Sequence, residues 1–310
     1  MKNTTKAYLA ITLYALIVGL SFLTAKIALT SADAIGLLAN RFTMAAISAL
    51  IYKFFRPDSI SADFSSWVKI VPFSMVYPIA FFLLQTFGLS MIPSSEAGII
   101  YATVPILTLI VARIILNERI NMQKKILMLV SVLGVVFINV MNGVNIGDYN
   151  YWGFLLVLLS TMTLATYNVF AKKLIKDYSA VTIVYIMSIT GCVVFNAISV
   201  VQHLLKGNIG DYFKPYTSVS FVLAVIYLGV FSSLITTILS AYALKSLEAT
   251  KVGLFNNVST VVSILAGTLF LHEPLYYYHY IGIIVILIGT IGFNLNGFGK
   301  FSSKTKKKES

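Results

Sequence analysis

Long apolar stretches alternate with short polar segments along the whole chain. Ten of these stretches have about the 20 residues that a helix needs to cross roughly 30 Å of hydrocarbon. They lie at approximately 7–29, 34–54, 68–91, 95–116, 123–141, 151–172, 180–204, 218–244, 250–271 and 277–297. The segments between them are too short for a soluble domain. The pattern therefore predicts an all-α polytopic membrane protein with ten transmembrane helices.

Composition agrees with lipid as the solvent. Hydrophobic residues make up 58% of the chain, charged residues 11%, and the mean hydropathy is +0.87. A soluble domain carries about 25% charged residues, because its surface faces water. The first apolar run follows Lys2 and Lys6 and continues to about Leu29 without a small-residue cleavage site. We therefore predict a retained first helix rather than a signal peptide.

The basic residues predict the orientation in the membrane. With the N-terminus in the cytoplasm, all but four of the 23 Lys and Arg residues fall on the cytoplasmic side, as the positive-inside rule requires. The exceptions are Lys206 and Lys214 in an outer loop and Lys26 and Arg41 within or near helices. The net charge of +12 thus indicates topology rather than nucleic-acid binding. We therefore predict a multi-pass protein of the cell membrane whose two termini both lie in the cytoplasm.

An internal repeat relates the two halves of the chain. Residues 84–139 align without a gap with 239–294, at an offset of 155. The matched pairs include Leu89 with Leu244, Gly98 with Gly253, Leu116 with Leu271, Glu118 with Glu273, Gly134 with Gly289, and Asn139 with Asn294. Chance similarity between apolar helices is the alternative, but it does not explain shared Glu, Gly and Asn positions in one frame.

The repeat predicts two units, 1–145 and 146–300, followed by a basic cytoplasmic tail at 301–310. Each unit has five helices, an odd number, so the second unit enters the membrane in the opposite direction. Inverted repeats are typical of transporters, whose substrate site lies near the bilayer midplane between the repeats. The repeat thus predicts transport by alternating access.

Several short motifs resemble the EamA family of the drug/metabolite transporter superfamily, over essentially the whole chain. They are Gly19-Leu20-Ser21-Phe22 with Lys26, Arg41-Phe42, Ser95-Glu96-Ala97-Gly98, Pro105, Leu116-Asn117-Glu118-Arg119, and, in the second repeat, Ala249 to Gly253, Leu271-His272-Glu273-Pro274 and Gly282. Departures are Val18 in place of a Trp, Asn117 and His272 in place of glycines, and Thr260 in place of a proline. The resemblance implies a central cavity lined by helices 1, 3, 4, 6, 8 and 9, and export of amino acids, drugs or other metabolites.

Polar and aromatic residues near mid-depth on those helices are the candidates for the substrate cavity. They are Tyr14, Tyr77, Gln85, Tyr101, Thr103, Thr163, Tyr167, Asn168, Ser232, Ser233, Thr236, Asn256 and Asn257. A buried amide in lipid needs a partner, and a neighbouring helix serves as well as a ligand, at about 0.6 kcal/mol per hydrogen bond. As a group, these residues favour a polar or amphipathic substrate.

Four charged residues and two prolines are further candidates. Lys26 and Arg41 either extend to the outer surface or approach an anionic substrate group. Glu118 and Glu273 are helix-end charges paired with loop residues such as Arg119, or gate contacts at equivalent positions. Pro78 and Pro105 fall inside predicted helices, where each removes a backbone hydrogen bond; they act as hinges or as static kinks.

The sequence predicts no catalytic residues, no metal and no cofactor. His203, His272 and His279 lack the spacing of a metal site, and Cys192 is the single cysteine. No carboxylate falls in mid-helix, whereas proton relays usually place one there. This absence favours facilitated uniport or exchange over proton antiport.

We therefore predict a non-enzymatic transporter of small polar or amphipathic metabolites, with efflux or facilitated uniport as its mode. The alternatives are a proton-coupled drug/metabolite antiporter, a nucleotide-sugar or phosphate-ester carrier of the same superfamily, and a non-transporting receptor or scaffold. The expected partners are a small-molecule substrate and the lipid bilayer, without nucleic acid. The sequence leaves monomer and homodimer open.

Overall fold

The computed structural model describes residues 2–89, 91, 100–118, 120–141, 150–271 and 274–295, and these residues are helical with short connections and no strands. Glu273 and the predicted tail at 301–310 lie outside the described residues. The helices are α1 Lys2–Ala28, α2 Ala34–Phe55, α3 Phe64–Leu89, α4 Val104–Leu116, α5 Met122–Met141, α6 Tyr151–Asp177, α7 Ala180–Leu205, α8 Val219–Leu244, α9 Ala249–Leu271 and α10 Tyr277–Leu295.

The prediction of a polytopic all-α membrane protein is confirmed. Within the described residues, nine helices are long and apolar enough to span a membrane. The helix α4 is shorter, and residues 95–99 of the stretch predicted there lie outside the described part. Helix α7, Ala180–Leu205, illustrates how closely the bounds follow the predicted apolar run of 180–204.

The outer surface of the bundle is apolar. Large hydrophobic side chains on different helices are exposed, among them Leu9, Ile114, Val193, Leu269 and Ile284. A soluble monomer rarely exposes contiguous apolar patches of this kind. The exposed side chains therefore fit a protein that is solvated by lipid.

Polar side chains begin several of the helices. Each accepts a hydrogen bond from a backbone N–H three residues later, which satisfies a group that the first turn leaves free. These residues are Asp33, Asp63, Asn150, Ser179 and Ser218. At the other end of α4, Asn117 adopts the left-handed conformation (φ 53°) and ends the helix, as Asn tolerates.

Helices α5 and α10 pack closely through glycines. A Cβ atom added to Gly134 of α5 would lie 2.9 Å from the backbone nitrogen of Ile286 and 3.0 Å from the carbonyl oxygen of Gly282. The two backbones therefore touch at this point, and only a glycine fits there.

A second contact between these helices repeats the first with the partners exchanged. A Cβ atom added to Gly289 of α10 would lie 2.4 Å from the backbone nitrogen of Ser131 and 2.7 Å from the carbonyl oxygen of Leu127. Ser131 and Leu127 stand 155 positions before Ile286 and Gly282. The α5–α10 contact is therefore made of two equivalent halves.

The order of contacts along neighbouring helices gives their relative directions. Antiparallel contacts, in which one residue number rises as the other falls, join α5 to α10, α2 to α7 and α3 to α6. Representative pairs are Leu127–Gly292 and Ile138–Gly282, Asp33–Gln202 and Thr43–Asn196, and Phe73–Phe170 and Gly88–Val157. By the same criterion α1 and α9 are parallel, through Tyr14–Asn256 and Gly19–Val262.

Candidate functional site

Three tyrosines from three helices meet near the centre of the bundle, and we call Tyr14, Tyr77 and Tyr167 the central aromatic group. The rings of Tyr77 on α3 and Tyr167 on α6 stack with their centroids 4.2 Å apart, and Tyr14 on α1 packs in the same core cluster. The Tyr14 hydroxyl donates a hydrogen bond of 3.0 Å to Oδ1 of Asn256 on α9. Four of the predicted cavity residues are therefore brought together.

A break in α3 positions Tyr77. The helix changes to a π-helical turn over Met75–Ala80, and Tyr77 has an extended backbone (φ −144°, ψ 122°). Pro78 explains this conformation, because its ring disfavours helical geometry at the preceding residue and it lacks an N–H. Pro78 thus lies at a break in its helix, as predicted.

Helix α8 contains a matching irregular segment. It changes to π-helical geometry over Tyr227–Ile235, and the residues 155 positions after Met75–Ala80 fall within this segment. The position equivalent to Tyr77 is Ser232. Such π-helical turns often occur at functional sites.

Arg41 points into the protein at this segment. Its Nε donates a hydrogen bond of 2.8 Å to Oγ of Ser233, and its Nη2 donates to Oγ of Ser232 at 3.1 Å and to the Ser232 carbonyl oxygen at 3.4 Å. The guanidinium also lies 4.7 Å from the centre of the Phe82 ring. Of the two paths expected from the sequence, the side chain therefore takes the inward one and does not extend to the outer surface.

A small cavity of about 20 Å³, with room for roughly one water molecule, adjoins Arg41 between α2, α3, α7 and α8. Its lining is mostly aromatic and aliphatic, with four hydroxyl groups from α3, α7 and α8. The lining residues are Phe42, Tyr77, Pro78, Phe82, Val184, Met187, Ser188, Ser233 and Thr237. The sequence did not point to α2 and α7 as lining helices, because the family resemblance implied a cavity without them.

The adjacent amides of α9 have different partners. Asn256 bonds Tyr14 in the central aromatic group, whereas Nδ2 of Asn257 donates to Oγ of Ser131 on α5 at 3.1 Å. Ser131 is in turn 3.0 Å from the Thr290 hydroxyl on α10. Asn257 therefore joins helices, as the alternative interpretation expected.

Several other predicted cavity residues form hydrogen bonds to nearby protein groups. The Tyr101 hydroxyl lies 3.1 Å from Oγ of Ser160 and also bonds Gln85, so these side chains join α3, α6 and the segment before α4. The hydroxyls of Thr103, Thr163 and Thr236 donate to carbonyl oxygens of their own segments. Asn168 is buried, and its Nδ2 has no hydrogen-bond partner among the described residues.

Pro105 lies just after a turn between two helical segments. Residues 100–101 are helical, a turn follows at 102–103, and α4 begins at Val104, so Pro105 stands in the first turn of α4. A proline is well tolerated there, since the first N–H groups of a helix have no partner within it. The helix is therefore interrupted beside Pro105, and a hinge role for this residue stays a prediction.

Glu118 joins the end of α4 to the second half of the chain. Its Oε1 accepts hydrogen bonds from Nζ of Lys172 on α6 at 2.7 Å and from the Ala249 N–H of α9 at 3.2 Å. Its Oε2 accepts from the Thr250 hydroxyl at 3.3 Å. The carboxylate also faces the positive end of the α9 dipole. Arg119, the partner expected from the sequence, lies outside the described residues, as do Glu273 and the side chain of Lys26.

A second acidic residue lies beside this contact. Glu248 is 3.8 Å from Nζ of Lys124 at the start of α5 and 3.9 Å from Nζ of Lys251. Together with Glu118 and Lys172, these side chains form a charged cluster where α4, α5, α6 and α9 approach one another.

Comparison with known proteins adds the family context. The model of the EamA-like transporter family matches residues 5–140 and again residues 151–295. The uncharacterized transporter YcxC of Bacillus subtilis (strain 168) is 44% identical over 303 residues, which cover 98% of this chain and 96% of that protein. An uncharacterized transporter of Archaeoglobus fulgidus is 30% identical over 59% of this chain and 62% of its own length. One protein crystal structure has the same fold, with a TM-score of 0.75 at 18% identity, over 95% of this chain and 99% of that one.

Proposed function

The chain belongs to the EamA-like transporter family, and we propose that it moves small polar or amphipathic metabolites across the cell membrane by alternating access. Amino acids, related compounds and drugs are the substrate classes considered. The observation that carries the proposal is the position of the central aromatic group, because its contacts join helices of the first half of the chain to helices of the second.

Two inverted five-helix repeats are the proposed architecture. The two equivalent halves of the α5–α10 contact support it, because each residue of one half has its counterpart 155 positions away. The antiparallel direction of these helices is the direction that inversion requires. The matching π-helical segments of α3 and α8, and the two family matches, give independent support.

Ten membrane crossings are proposed, with α4 as the tenth. If α4 did not cross, the chain would cross once fewer between α3 and α6, and these two helices would be parallel. Their contacts are antiparallel, which supports a crossing at α4. With the positive-inside distribution of Lys and Arg, this topology leaves both termini in the cytoplasm.

The positions where the two halves of the chain meet support alternating access. The Tyr14–Asn256 and Tyr77–Tyr167 contacts lie inside the membrane-spanning helices, away from their ends. The Glu118 contacts lie at the predicted cytoplasmic ends of α4, α6 and α9. Tilting the halves against each other would separate the Glu118 contacts and open the centre to the cytoplasm.

Facilitated uniport or exchange is the proposed mode. Among the described residues, acidic side chains lie in loops or at helix ends, away from the depth where proton relays place them. Transport is therefore expected to proceed without a pH gradient, which separates this mode from the proton-coupled alternative.

Flux into proteoliposomes tests the proposed function. The purified full chain, with a panel of amino acids, purines and cationic dyes as candidate substrates, is expected to give saturable flux of at least one class with no imposed gradient. Protein-free liposomes are the background control. Correctly inserted protein without saturable flux of any compound would contradict the proposal, and flux that requires a proton gradient would replace uniport by antiport.

Substitution of Tyr77 is expected to weaken substrate binding within this assay. Tyr77→Leu removes the ring that stacks on Tyr167 and that is proposed to contact the substrate. Loss of an aromatic contact to the substrate of about 1 kcal/mol or more predicts a KM raised about fivefold or more. Tyr77→Phe keeps the ring and is the matched control, with a smaller change expected. Equal KM values for wild type and Tyr77→Leu would show that the central aromatic group does not contact the substrate.

A further inference from the structure

Arg41 is a charged side chain inside the bundle, and no charged partner lies beside it among the described residues. It stands seven residues after the start of α2 at Ala34, which is roughly 10 Å along a helix at 1.5 Å per residue. In the described part of the chain, the ion pairs involve other residues, and no carboxylate pairs with Arg41. A buried charge without a counter-ion is unfavourable, so an ionised residue at this depth is a candidate functional site.

The known bonds of the guanidinium leave donors free. Its Nε bonds Ser233 and its Nη2 bonds Ser232, whereas no acceptor among the described residues bonds Nη1. The planar guanidinium carries five N–H donors, and it binds carboxylates through two parallel hydrogen bonds. Two serines and the Phe82 ring hold the group in place, so its orientation is fixed before a ligand arrives.

The residues around Arg41 indicate the polarity of the rest of a bound ligand. Ser233, which accepts from Arg41, and Phe82, which lies against its guanidinium, both line the cavity. The other walls are mainly Phe42, Val184 and Met187, which favour an aromatic or aliphatic body. No acidic side chain is among the lining residues, so the cavity offers no counter-ion to an amine.

We propose that Arg41 binds the carboxylate of an amphipathic organic anion whose apolar body lies against Phe42, Val184 and Met187. The adjoining cavity of about 20 Å³ widens for this ligand when the surrounding helices separate. The location of this site in the transport path rests on the proposed function. A carboxylate would supply the counter-ion that Arg41 lacks in the described part of the chain. A zwitterion would bind less well, because no acid among the described lining residues would meet its ammonium group. An amine of the same shape would be repelled.

Three probes with one phenyl body and different charges test the proposal. Binding of phenylpropionate, phenylalanine and phenethylamine to the full chain in nanodiscs is measured by calorimetry at neutral pH. We expect phenylpropionate to bind tightest, phenylalanine less tightly, and phenethylamine about tenfold more weakly than phenylpropionate or worse, since a hydrogen bond to a charged group contributes about 1.5–3 kcal/mol. This ranking uses the wild-type protein and does not depend on a variant that folds.

Substitutions identify the residue responsible. Arg41→Gln is expected to weaken phenylpropionate binding about tenfold or more and to abolish the preference over phenethylamine. Arg41→Lys keeps the charge but loses the paired donors, so an intermediate affinity is expected. Arg113→Gln is the matched control, because Arg113 is exposed in the last turn of α4, and it is expected to bind like wild type.

The outcomes separate this proposal from the transport function. Equal or reversed affinities in the charge series, no phenylpropionate binding at millimolar concentration, or unchanged binding by Arg41→Gln would each overturn the Arg41 site. Saturable flux of some compound that is unaffected by Arg41→Gln would keep the transport function and overturn the site. Arg41-dependent binding of phenylpropionate without flux of any compound would support the site and contradict transport.

Discussion

Gly289→Ala is expected to lower the melting temperature of the detergent-solubilised protein far more than Gly292→Ala, although the two glycines lie one turn apart on α10. At Gly289 the new Cβ would lie 2.4 Å from the Ser131 backbone nitrogen and 2.7 Å from the Leu127 carbonyl oxygen. Backbone atoms in a helix cannot move aside separately, so α5 and α10 must separate. Overpacking of this kind typically costs about 1–3 kcal/mol, and sometimes more.

In the control substitution Gly292→Ala, the added Cβ would contact a side chain rather than the backbone. A Cβ atom at Gly292 would approach Cδ2 of Leu127 at 2.9 Å and other atoms of the same side chain from 3.4 Å outward. A leucine end can change rotamer, so a small change in melting temperature is expected. Equal losses for the two variants would show that the close backbone approach at Gly289 does not limit stability.

Gly134→Ala extends the test to the other half of the α5–α10 contact. Its added Cβ would lie 2.9 Å from the Ile286 nitrogen and 3.0 Å from the Gly282 carbonyl oxygen, a slightly wider fit than at Gly289. A loss of stability nearly as large as that of Gly289→Ala is therefore expected. A neutral Gly134→Ala beside a destabilising Gly289→Ala would contradict the equivalence of the two halves.

Loss of the Glu118 carboxylate is expected to have the second large effect. Glu118→Gln weakens the 2.7 Å bond from Lys172 and the bonds from Ala249 and Thr250 at the start of α9. The Glu118 and Lys172 side chains are only 11% and 24% exposed, so water screens the pair incompletely. We expect unfolding to become easier by about 1–3 kcal/mol, as for other hydrogen bonds to charged groups.

A double-mutant cycle with Lys172→Met isolates the pair. A coupling of about 1 kcal/mol or more is expected for contacting residues in one network. The control cycle uses Glu248→Gln and Lys124→Met, because that pair is 3.8 Å apart and Glu248 is 38% exposed. There we expect a coupling below about 1 kcal/mol. Additive effects of Glu118→Gln and Lys172→Met would show that the ion pair does not hold these helix ends together.

Most helix bounds could be predicted from the sequence because the bilayer imposes one simple requirement. A spanning helix must be apolar for about 20 residues, and polar residues such as Asp33, Asp63 and Ser179 then mark where helices begin. The register of the repeat was also readable, since its glycines must recur where backbones touch. Helix α4 was less predictable, because its first turn contains Pro105 and a turn precedes it.

The orientation of individual side chains was not predictable. Asn256 and Asn257 are equally polar and adjacent in sequence, yet adjacent helical residues point about 100° apart. One faces the central aromatic group and the other faces α5, which depends on how α9 is rotated. Likewise, the sequence cannot tell whether Arg41 extends outward or inward. Its inward path depends on Ser232 and Ser233, which lie on a helix nearly two hundred residues later.

The equivalence of the two glycine contacts has an energetic consequence for a rocking protein. If the two halves of the chain rock about this contact, as proposed above, the close backbone approaches at Gly134 and Gly289 restrain α5 and α10 at equivalent points. Residues that differ between the repeats would then decide which end state is favoured. Tyr77 and Ser232 are such a pair, an aromatic ring in the π-helical segment of α3 and a small hydroxyl at the matching position of α8. Exchanging the sizes of these two side chains is therefore expected to change the relative populations of the two end states without changing the α5–α10 contact.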